Sequence, residues 1–453
     1  MHDTSRDRDD PDRNPALFVD LYEVTMAQAY ANAGMTQTAV FELFFRALPP
    51  RRNYVLACGL ADVVERIESF RFDADDIAYL RDQGPFDPAF LDMLADLRFT
   101  GDVDAVPEGT LVFPDEPLLQ VTAPLVEAQL LETLALNRLH AGCLFATKAA
   151  RLVRAARGRT VVDFGARRTQ GLDAALVMAR AGWIAGLAGT SNLFAGRRWG
   201  LPTFGTMAHS YVQAHDDEAT AFRRFAREFP GTTLLVDTYD TLAGVDTVVR
   251  LARELGDGFD VGGVRLDSGD LAELSRRVRE RLDGAGLDQV RIIASGGLDE
   301  DAIDHLLAGG APIDGFGVGT SLGVSADAPA IDLAYKLVEY AGRPRLKTSG
   351  KKATLPGRKQ VVRHRRDGRL AHDVLGRRDE KLDGEPLLIP IMRAGKRVPG
   401  AVADLATARE RAHAQMESLP GHLHALERAE PAYEVALTAA LQDTRDRLRE
   451  RAS

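Results

Sequence analysis

Between residues 160 and 320 the chain alternates two patterns. Short, nearly unbroken apolar runs ("TVVDFGARR", "GLPTFGTMAHS", "TTLLVDTYD", "GFDVGGVRLDS", "VRIIASGGL", "DGFGVGTS") are separated by "DAALVMARAGWIAGL", "EATAFRRFAREF", "GVDTVVRLARELG", "LAELSRRVRERL" and "DAIDHLLAGG", where apolar residues recur every three or four positions. The first kind reads as strands buried on both faces, the second as amphipathic helices. Strand starts are expected near 160, 201, 232, 259, 290 and 314. These intervals of about 25 to 40 residues suit one strand, loop and helix of a parallel α/β unit. Each expected strand releases polar residues at its carboxyl end: Arg167 and Arg168; Thr206 and His209; Asp237 and Tyr239; Arg265 and Asp267; Ser295, Gly296 and Gly297; Gly319 and Thr320. An open sheet would spread these along an edge, whereas a barrel gathers them on one ring. The pattern predicts an α/β fold built on an incomplete, TIM-like barrel.

The flanks are less periodic. "AVFELFFRALPPRRNYVLACGL" (39–60) reads as a strand, a proline-marked turn and a helix start, and "TLVFPDEPLLQVTAP" (110–124) as β-rich. From Leu125 to Arg157 helical spacing runs without proline, predicting one long helix or two broken near Gly142. After about 330 come strand-like "RPRLKTSG" and "KQVVRH", then a helical tail from "DLATARERAHAQME". The arrangement expected is a disordered lead (1–14), an α+β domain built from both chain ends (15–140 and 331–453), and the barrel (141–330) inserted between them.

Composition narrows the function. With 45% hydrophobic and 27% charged residues among 453, the chain is that of an ordinary globular protein, and no window approaches the roughly 18 unbroken apolar residues of a membrane span. A net charge of −9 argues against a nucleic-acid partner, whose affinity draws on surplus Lys and Arg. The basic stretches "RHRRDGR" (363–369) and "RDRLRER" (445–451) are expected to be solvated surface. The two cysteines, Cys58 and Cys143, lie in apolar, helical-looking stretches. Without a disulfide framework or a secretory h-region, a cytoplasmic setting is expected.

The glycine-rich loops "ASGGLDE" and "GFGVGTS" either let backbone N–H groups approach a phosphate or serve tight packing. The second lacks the acidic residue of a dinucleotide fingerprint, and no G-x-x-x-x-G-K-[ST] occurs. In "RLDSGD", Arg265 and Asp267 suit a phosphorylated, anionic substrate with Mg²⁺, or form an internal ion pair; Asp270 is assigned to capping the next helix. His209 reads as a hydrogen-bonded loop histidine, a nucleophile for a phosphoryl group, or a metal ligand, although no zinc-type spacing surrounds it.

Taken in order, "VDLYEVTMAQAY", "FELFFRALPP", "LLETLALNRL", "ATKAARLV", "DFGARRTQG", "AGTSN", "GTMAHS", "GVRLDSGDL", "GVGTSL", "YKLVEYAGRPRLK" and "TLPGRKQVVR" resemble the nicotinate phosphoribosyltransferase family, from about residue 15 to beyond 400. The resemblance implies a type II phosphoribosyltransferase fold and a homodimer with active sites shared between subunits. It implies that nicotinate and phosphoribosyl pyrophosphate give nicotinate mononucleotide and pyrophosphate, with ATP as co-substrate and Mg²⁺ as cofactor, in NAD salvage. His209 is then the residue phosphorylated by ATP, with Thr206 against nicotinate. Tyr22 reaches the pyridine ring from the second subunit and Phe164 stacks on it. Arg167 and Arg265 hold the nicotinate carboxylate and sugar phosphates, and Thr320 sits at the phosphoribosyl phosphate. The metal ligands are left unassigned. Ser191 stands where nicotinamide-using relatives carry aspartate, which favours nicotinate. The alternatives are a nicotinamide phosphoribosyltransferase and a non-catalytic phosphate-binding barrel.

Overall fold

The computed structural model describes residues 15–348 and 353–452; the expected lead and the end of "RPRLKTSG" lie outside the described residues. The chain forms two compact units, Phe145–Pro329 and the pair of end segments Met1–Leu144 and Ala330–Ser453.

In the 145–329 unit six strands pair in parallel, in the spatial order Gly189–Thr190, Thr160–Asp163, Gly315–Val318, Arg291–Ala294, Val261–Leu266, Thr232–Leu235. Followed round, this is chain order with one break. Thr203 adds an isolated parallel bridge to Thr190, so the gap lies between Thr203 and Thr232–Leu235: the sheet is the expected incomplete barrel. One strand differs from expectation. The run near 201 contributes only that bridge, and the second strand is instead Gly189–Thr190, two residues from a stretch with no apolar run.

The helices are legible in their caps and faces. Asp240, Asp270 and Asp299 each accept backbone N–H bonds at the start of Thr241–Leu255, Leu271–Gly284 and Glu300–Ala308, satisfying amides that lack an intrahelical partner. Helix Leu271–Gly284 buries Ser275, Val278 and Leu282, one stripe of helical spacing. Within this unit Lys148, Arg151, Glu300 and Asp327 form a buried four-charge network: Glu300 bonds Lys148 and, at 2.9 Å, Arg151, while Asp327 lies 3.3 Å from Lys148 and 3.5 Å from Arg151.

The unit of chain ends holds a seven-stranded antiparallel sheet ordered Arg343–Pro344, Leu333–Tyr340, Thr38–Phe45, Leu119–Pro124, Asp102–Ala105, Ile389–Arg393, Lys396–Arg397. Three central strands from the first end segment are thus flanked on both sides by strands from the second, and Phe41 stacks on Tyr335 at 4.9 Å. A second sheet orders Glu385–Pro386, Lys359–Arg366, Arg369–Arg377, Val435–Leu437. Its central hairpin turns at Asp367 and Gly368, both with positive φ, as a two-residue loop matching strand twist requires.

Four expectations are corrected by the structure. The helical stretch after 125 breaks at Leu130–Leu131, giving Leu125–Gln129 and Glu132–Ala155. Gly142 lies inside the second helix because a Cβ there would come 2.5 Å from the Cys58 carbonyl oxygen; it permits close approach rather than a break. Cys58 lies in the loop before Leu60–Ser69 rather than in a helix. Both cysteines are buried and outside any disulfide, and burial pushes the Cys143 thiol up to about 12. Within the basic "RHRRDGR", Arg363 is fully buried and forked onto Asp373, with Nη2 to Oδ2 at 2.6 Å, because a hairpin residue facing the core needs its charge paired. Arg365, Arg366 and Arg369 are exposed, as is most of the second basic stretch, on the last helix, Ala439–Ala452. The expected helical tail is instead two helices, Leu405–Ser418 and Ala439–Ala452, with strand Val435–Leu437 between them.

Candidate functional site

The carboxyl ends of the parallel strands carry a connected set of polar contacts. Asp163, the last residue of its strand, is wholly buried. Its Oδ1 accepts from the Gly165 N–H at 2.6 Å and its Oδ2 from the Thr190 hydroxyl at 2.6 Å, while its backbone oxygen accepts from the Ser191 N–H at 2.8 Å. Burial raises its pKa and these bonds oppose the rise. One carboxylate thereby fixes the loops that carry Phe164, Arg167 and Ser191.

Phe164 extends the pairing through its N–H to the Val318 oxygen at 2.8 Å, and its ring lies over Gly317 of the adjacent strand. A Cβ at Gly317 would sit 2.4 Å from two ring carbons. This glycine makes room for the ring. Gly296 is explained by packing as well: it has φ +85°, and a Cβ there would be 1.9 Å from the Asp267 carbonyl oxygen. Gly297 also has positive φ but faces open space.

Phe164, Phe204, Thr206, Arg265, Ile293 and Gly317 line a cavity of about 110 Å³. Arg265 enters it from Val261–Leu266. Its Nη1 donates to the Thr206 hydroxyl at 2.7 Å, its Nη2 lies 3.8 Å from Asp267 Oδ1, and its Nε is buried without a partner. Burial lowers its pKa, the charges of Asp267 and Asp237 oppose this, and Arg167 adds to the lowering. Asp267 Oδ1 accepts from the Ser295 hydroxyl. Asp237 Oδ2 accepts from the Asp267 N–H at 3.0 Å and the Ser268 hydroxyl at 2.6 Å, leaving its buried Oδ1 unpartnered.

His209 opens the short helix His209–Gln213, and its Nδ1 lies 3.1 Å from the Thr238 hydroxyl at the neighbouring strand end. Tyr211, two residues on, packs edge-to-face on Phe225 at 5.1 Å. His215 is bonded to its own helix through the Tyr211 oxygen. No group of three or more His, Cys, Asp or Glu able to hold a metal ion occurs among the described residues.

The structure thus joins Thr206, Arg265, Asp267 and Ser295 in one chain of contacts, with Phe164 on the cavity they border. Arg167, in the short 3-10 turn Ala166–Arg168, Ser191, just past strand Gly189–Thr190, and Thr320, which opens the four-residue helix Thr320–Gly323 after Gly319, are all exposed at strand ends. Tyr22 belongs to the unit of chain ends, in the first turn of helix Leu21–Asn32 and half exposed. Burial, then the charge of Glu132, raises its pKa. Asp163 and Thr238 were missed by sequence reasoning; each is a polar residue at or just past the end of an apolar run, the signal that picked out their neighbours. The Asp270 cap is as expected.

An open barrel of parallel strands, with polar side chains gathered at the strands' carboxyl ends, has the arrangement of an α/β-barrel enzyme. Comparison with known proteins narrows the class. Residues 17–140 match the nicotinate phosphoribosyltransferase N-terminal domain, and residues 160–365 match the nicotinate phosphoribosyltransferase family. The chain is 58% identical over 434 residues to the nicotinate phosphoribosyltransferase pncB2 of Mycobacterium tuberculosis, covering 96% of this chain and 94% of that protein. It is 43% identical to the Bacillus subtilis nicotinate phosphoribosyltransferase, over 78% of this chain and 74% of that one. The crystal structure of human nicotinic acid phosphoribosyltransferase superposes with a TM-score of 0.84 at 30% identity, covering 95% of this chain and 99% of that one. The chain belongs to the nicotinate phosphoribosyltransferase family. No helix among the described residues is long and apolar enough to cross a membrane.

Proposed function

We propose that the chain is a nicotinate phosphoribosyltransferase, joining nicotinate to the phosphoribosyl group of phosphoribosyl pyrophosphate and releasing pyrophosphate. The carrying observation is the cavity itself. Its volume of about 110 Å³ is comparable with the roughly 150 Å³ that holds a benzene ring; Phe164 supplies a flat wall and Arg265 a buried Nε–H without a partner. An aromatic ring bearing one carboxylate satisfies both features.

In this reading Thr206 and the Arg265 fork orient the ring so that its nitrogen faces the anomeric carbon. As pyrophosphate departs, the carbon–oxygen bond lengthens and the nitrogen–carbon bond forms, so orientation and cationic stabilisation of the leaving group supply most of the catalysis. Arg167 and Arg265 bear on that charge. Gly296, Gly297, Gly319 and Thr320 offer hydroxyl and backbone donors to the sugar phosphate, while Ser295 holds Asp267 beside them. Mg²⁺ is ordinarily held by one or two carboxylates plus substrate phosphates, and Asp267 with Asp237, whose Oδ1 is unpartnered, is a donor set that fits. When bound, the ion would neutralise charge on the pyrophosphate.

ATP is read as a co-substrate. With its proton on Nδ1 toward Thr238, His209 leaves the Nε2 lone pair to attack the terminal phosphoryl group; ADP departs, and water later hydrolyses the phosphoimidazole to phosphate. Tyr22 is assigned to the site of a second copy in a homodimer. Ser191, uncharged, spares a carboxylate substrate the repulsion an aspartate would add.

The test is pyrophosphate release from phosphoribosyl pyrophosphate and Mg²⁺ with nicotinate or nicotinamide, each with and without ATP. Turnover with nicotinate that rises with ATP supports the whole reading. Turnover only with nicotinamide overturns the Ser191 argument, and none with either base favours a phosphate-binding barrel without catalysis.

A further inference from the structure

A second cationic site lies in the unit of chain ends. Its cleft, of about 560 Å³, is lined by Arg358, Arg377, Arg378 and Arg447, with Glu339 and Asp379 as the carboxylates on its walls. Three elements bring the guanidinium groups together. The antiparallel register pairs Lys359 with Arg377, and the Arg378 N–H donates to the Arg358 oxygen at 2.9 Å, so Arg358 and Arg378 stand side by side. Arg447 comes from helix Ala439–Ala452.

Like charges placed opposite each other across a strand pair are destabilising unless compensated, and the compensation here is incomplete. Buried Asp104 accepts from Arg358 at 2.6 Å and Arg378 at 3.5 Å, but also from Arg393 at 2.6 Å. One carboxylate thus serves three guanidinium groups. Arg447 donates only to the Asp443 oxygen at 3.2 Å and the Thr444 hydroxyl at 3.4 Å, and has no carboxylate partner among the described residues. Arg377 pairs with Asp379, whose side chain is 65% exposed, and an exposed pair of that kind opens readily to a better anion. In a chain of net charge −9, such a concentration of arginine on one cleft is a local feature.

We propose that this cleft binds a polyphosphate group, the diphosphate or triphosphate of a small molecule. Planar guanidinium forks match phosphate oxygens two at a time, and the volume exceeds what a single phosphate would fill. Arg358 and Arg378, tied to Asp104, form the fixed wall; Arg377 and Arg447 swing to close on the anion. The site is independent of the reaction proposed for the barrel.

Titration calorimetry on the full chain separates the two. Tripolyphosphate and Mg²⁺-free ATP serve as probes, in an Arg265→Ala background that weakens the barrel site. Binding should persist in Arg265→Ala, weaken at least tenfold on adding Arg377→Ser and Arg447→Ser, and tighten two- to fivefold with Asp379→Asn, a surface change that frees Arg377 without touching the core. Equal affinities for the two probes would mean that the bare phosphate chain is recognised; tighter ATP would mean that the cleft also grips a nucleoside. A triple variant that titrates like Arg265→Ala, or an Asp379→Asn that binds no better, would overturn the proposal whatever the barrel catalyses.

Discussion

Replacing Gly317 by alanine tests the link between the barrel wall and the aromatic cavity. The added Cβ would lie 2.4 Å from both Cδ2 and Cε2 of Phe164, against an ordinary carbon–carbon contact of about 3.5 Å or more, so the ring must retreat by about 1 Å. Gly317 does not have a positive φ, so the backbone accepts alanine. The burden falls on the ring, which is only partly buried and has the cavity to move into. Overpacking of this kind costs about 1–3 kcal/mol; the open side of the ring puts the stability loss at the low end, about 1 kcal/mol. A displaced ring loses stacking worth about 0.5–1.5 kcal/mol, which is roughly a 2- to 12-fold rise in KM for nicotinate. Steady-state pyrophosphate release measures that rise and thermal unfolding the stability loss. The control is a double-mutant cycle with Phe164→Ala: once the ring is gone, Gly317→Ala should add almost nothing to either quantity. Equal effects of Gly317→Ala with and without the ring would refute the steric reasoning.

Four further outcomes are expected. His209→Ala should abolish ATP hydrolysis and ATP stimulation while sparing slow nucleotide formation at high substrate; retained stimulation would sink the phosphohistidine. Ser191→Asp should move preference from nicotinate toward nicotinamide, read as the ratio of their kcat/KM values. Glu300→Gln removes one of the two carboxylates of the buried network and leaves Asp327 as the remaining acid beside Lys148 and Arg151. Breaking such a network costs about 3–5 kcal/mol, so the melting temperature should fall by about 10 °C, and a loss under 2 °C would show the network to be dispensable. Glu23 is fully buried with Oε2 unpartnered, and burial raises its pKa to about 7. A raised carboxyl stabilises the fold fully below its unfolded value, near 4.5, and that stability is lost as pH climbs through 7. Relative to Glu23→Gln, the native chain should therefore lose on the order of 3 kcal/mol between pH 4 and 8. Denaturant unfolding at a series of pH values measures the difference; parallel curves would contradict it.

What could be read from the sequence follows from how local each signal is. The run "TVVD" and the helix 271–284 announce themselves because burial on both faces, or on one stripe, sets the apolar spacing directly. Gly189–Thr190 could not be found that way, since two residues held between the 160–163 strand and Thr203 carry no periodicity. Nor could the burial of Arg363, whose partners include the Leu111 oxygen, 252 positions away along the chain. At the site, Arg265, Asp267 and Ser295 were legible as polar residues released at strand ends. The glycines were legible only as glycines: whether Gly296 and Gly317 admit a ligand or a neighbour depends on the Asp267 oxygen and the Phe164 ring, which sequence does not put beside them.

The single gap in the ring of strands also bears on how this protein behaves in concentrated solution. A closed barrel presents no unpaired backbone, but an open one leaves two edges able to recruit a strand from another molecule. Here one edge strand is only two residues long, and Thr203 bridges onto it. The other, Thr232–Leu235, has helix Glu218–Glu228 packed on it, with His209–Gln213 docked on that helix in turn through Tyr211 and Phe225. The segment that carries His209 is thereby anchored to the helix that packs against this edge strand. Substitutions that loosen the Tyr211–Phe225 contact should show themselves first as self-association during expression and storage, before any loss of chemistry.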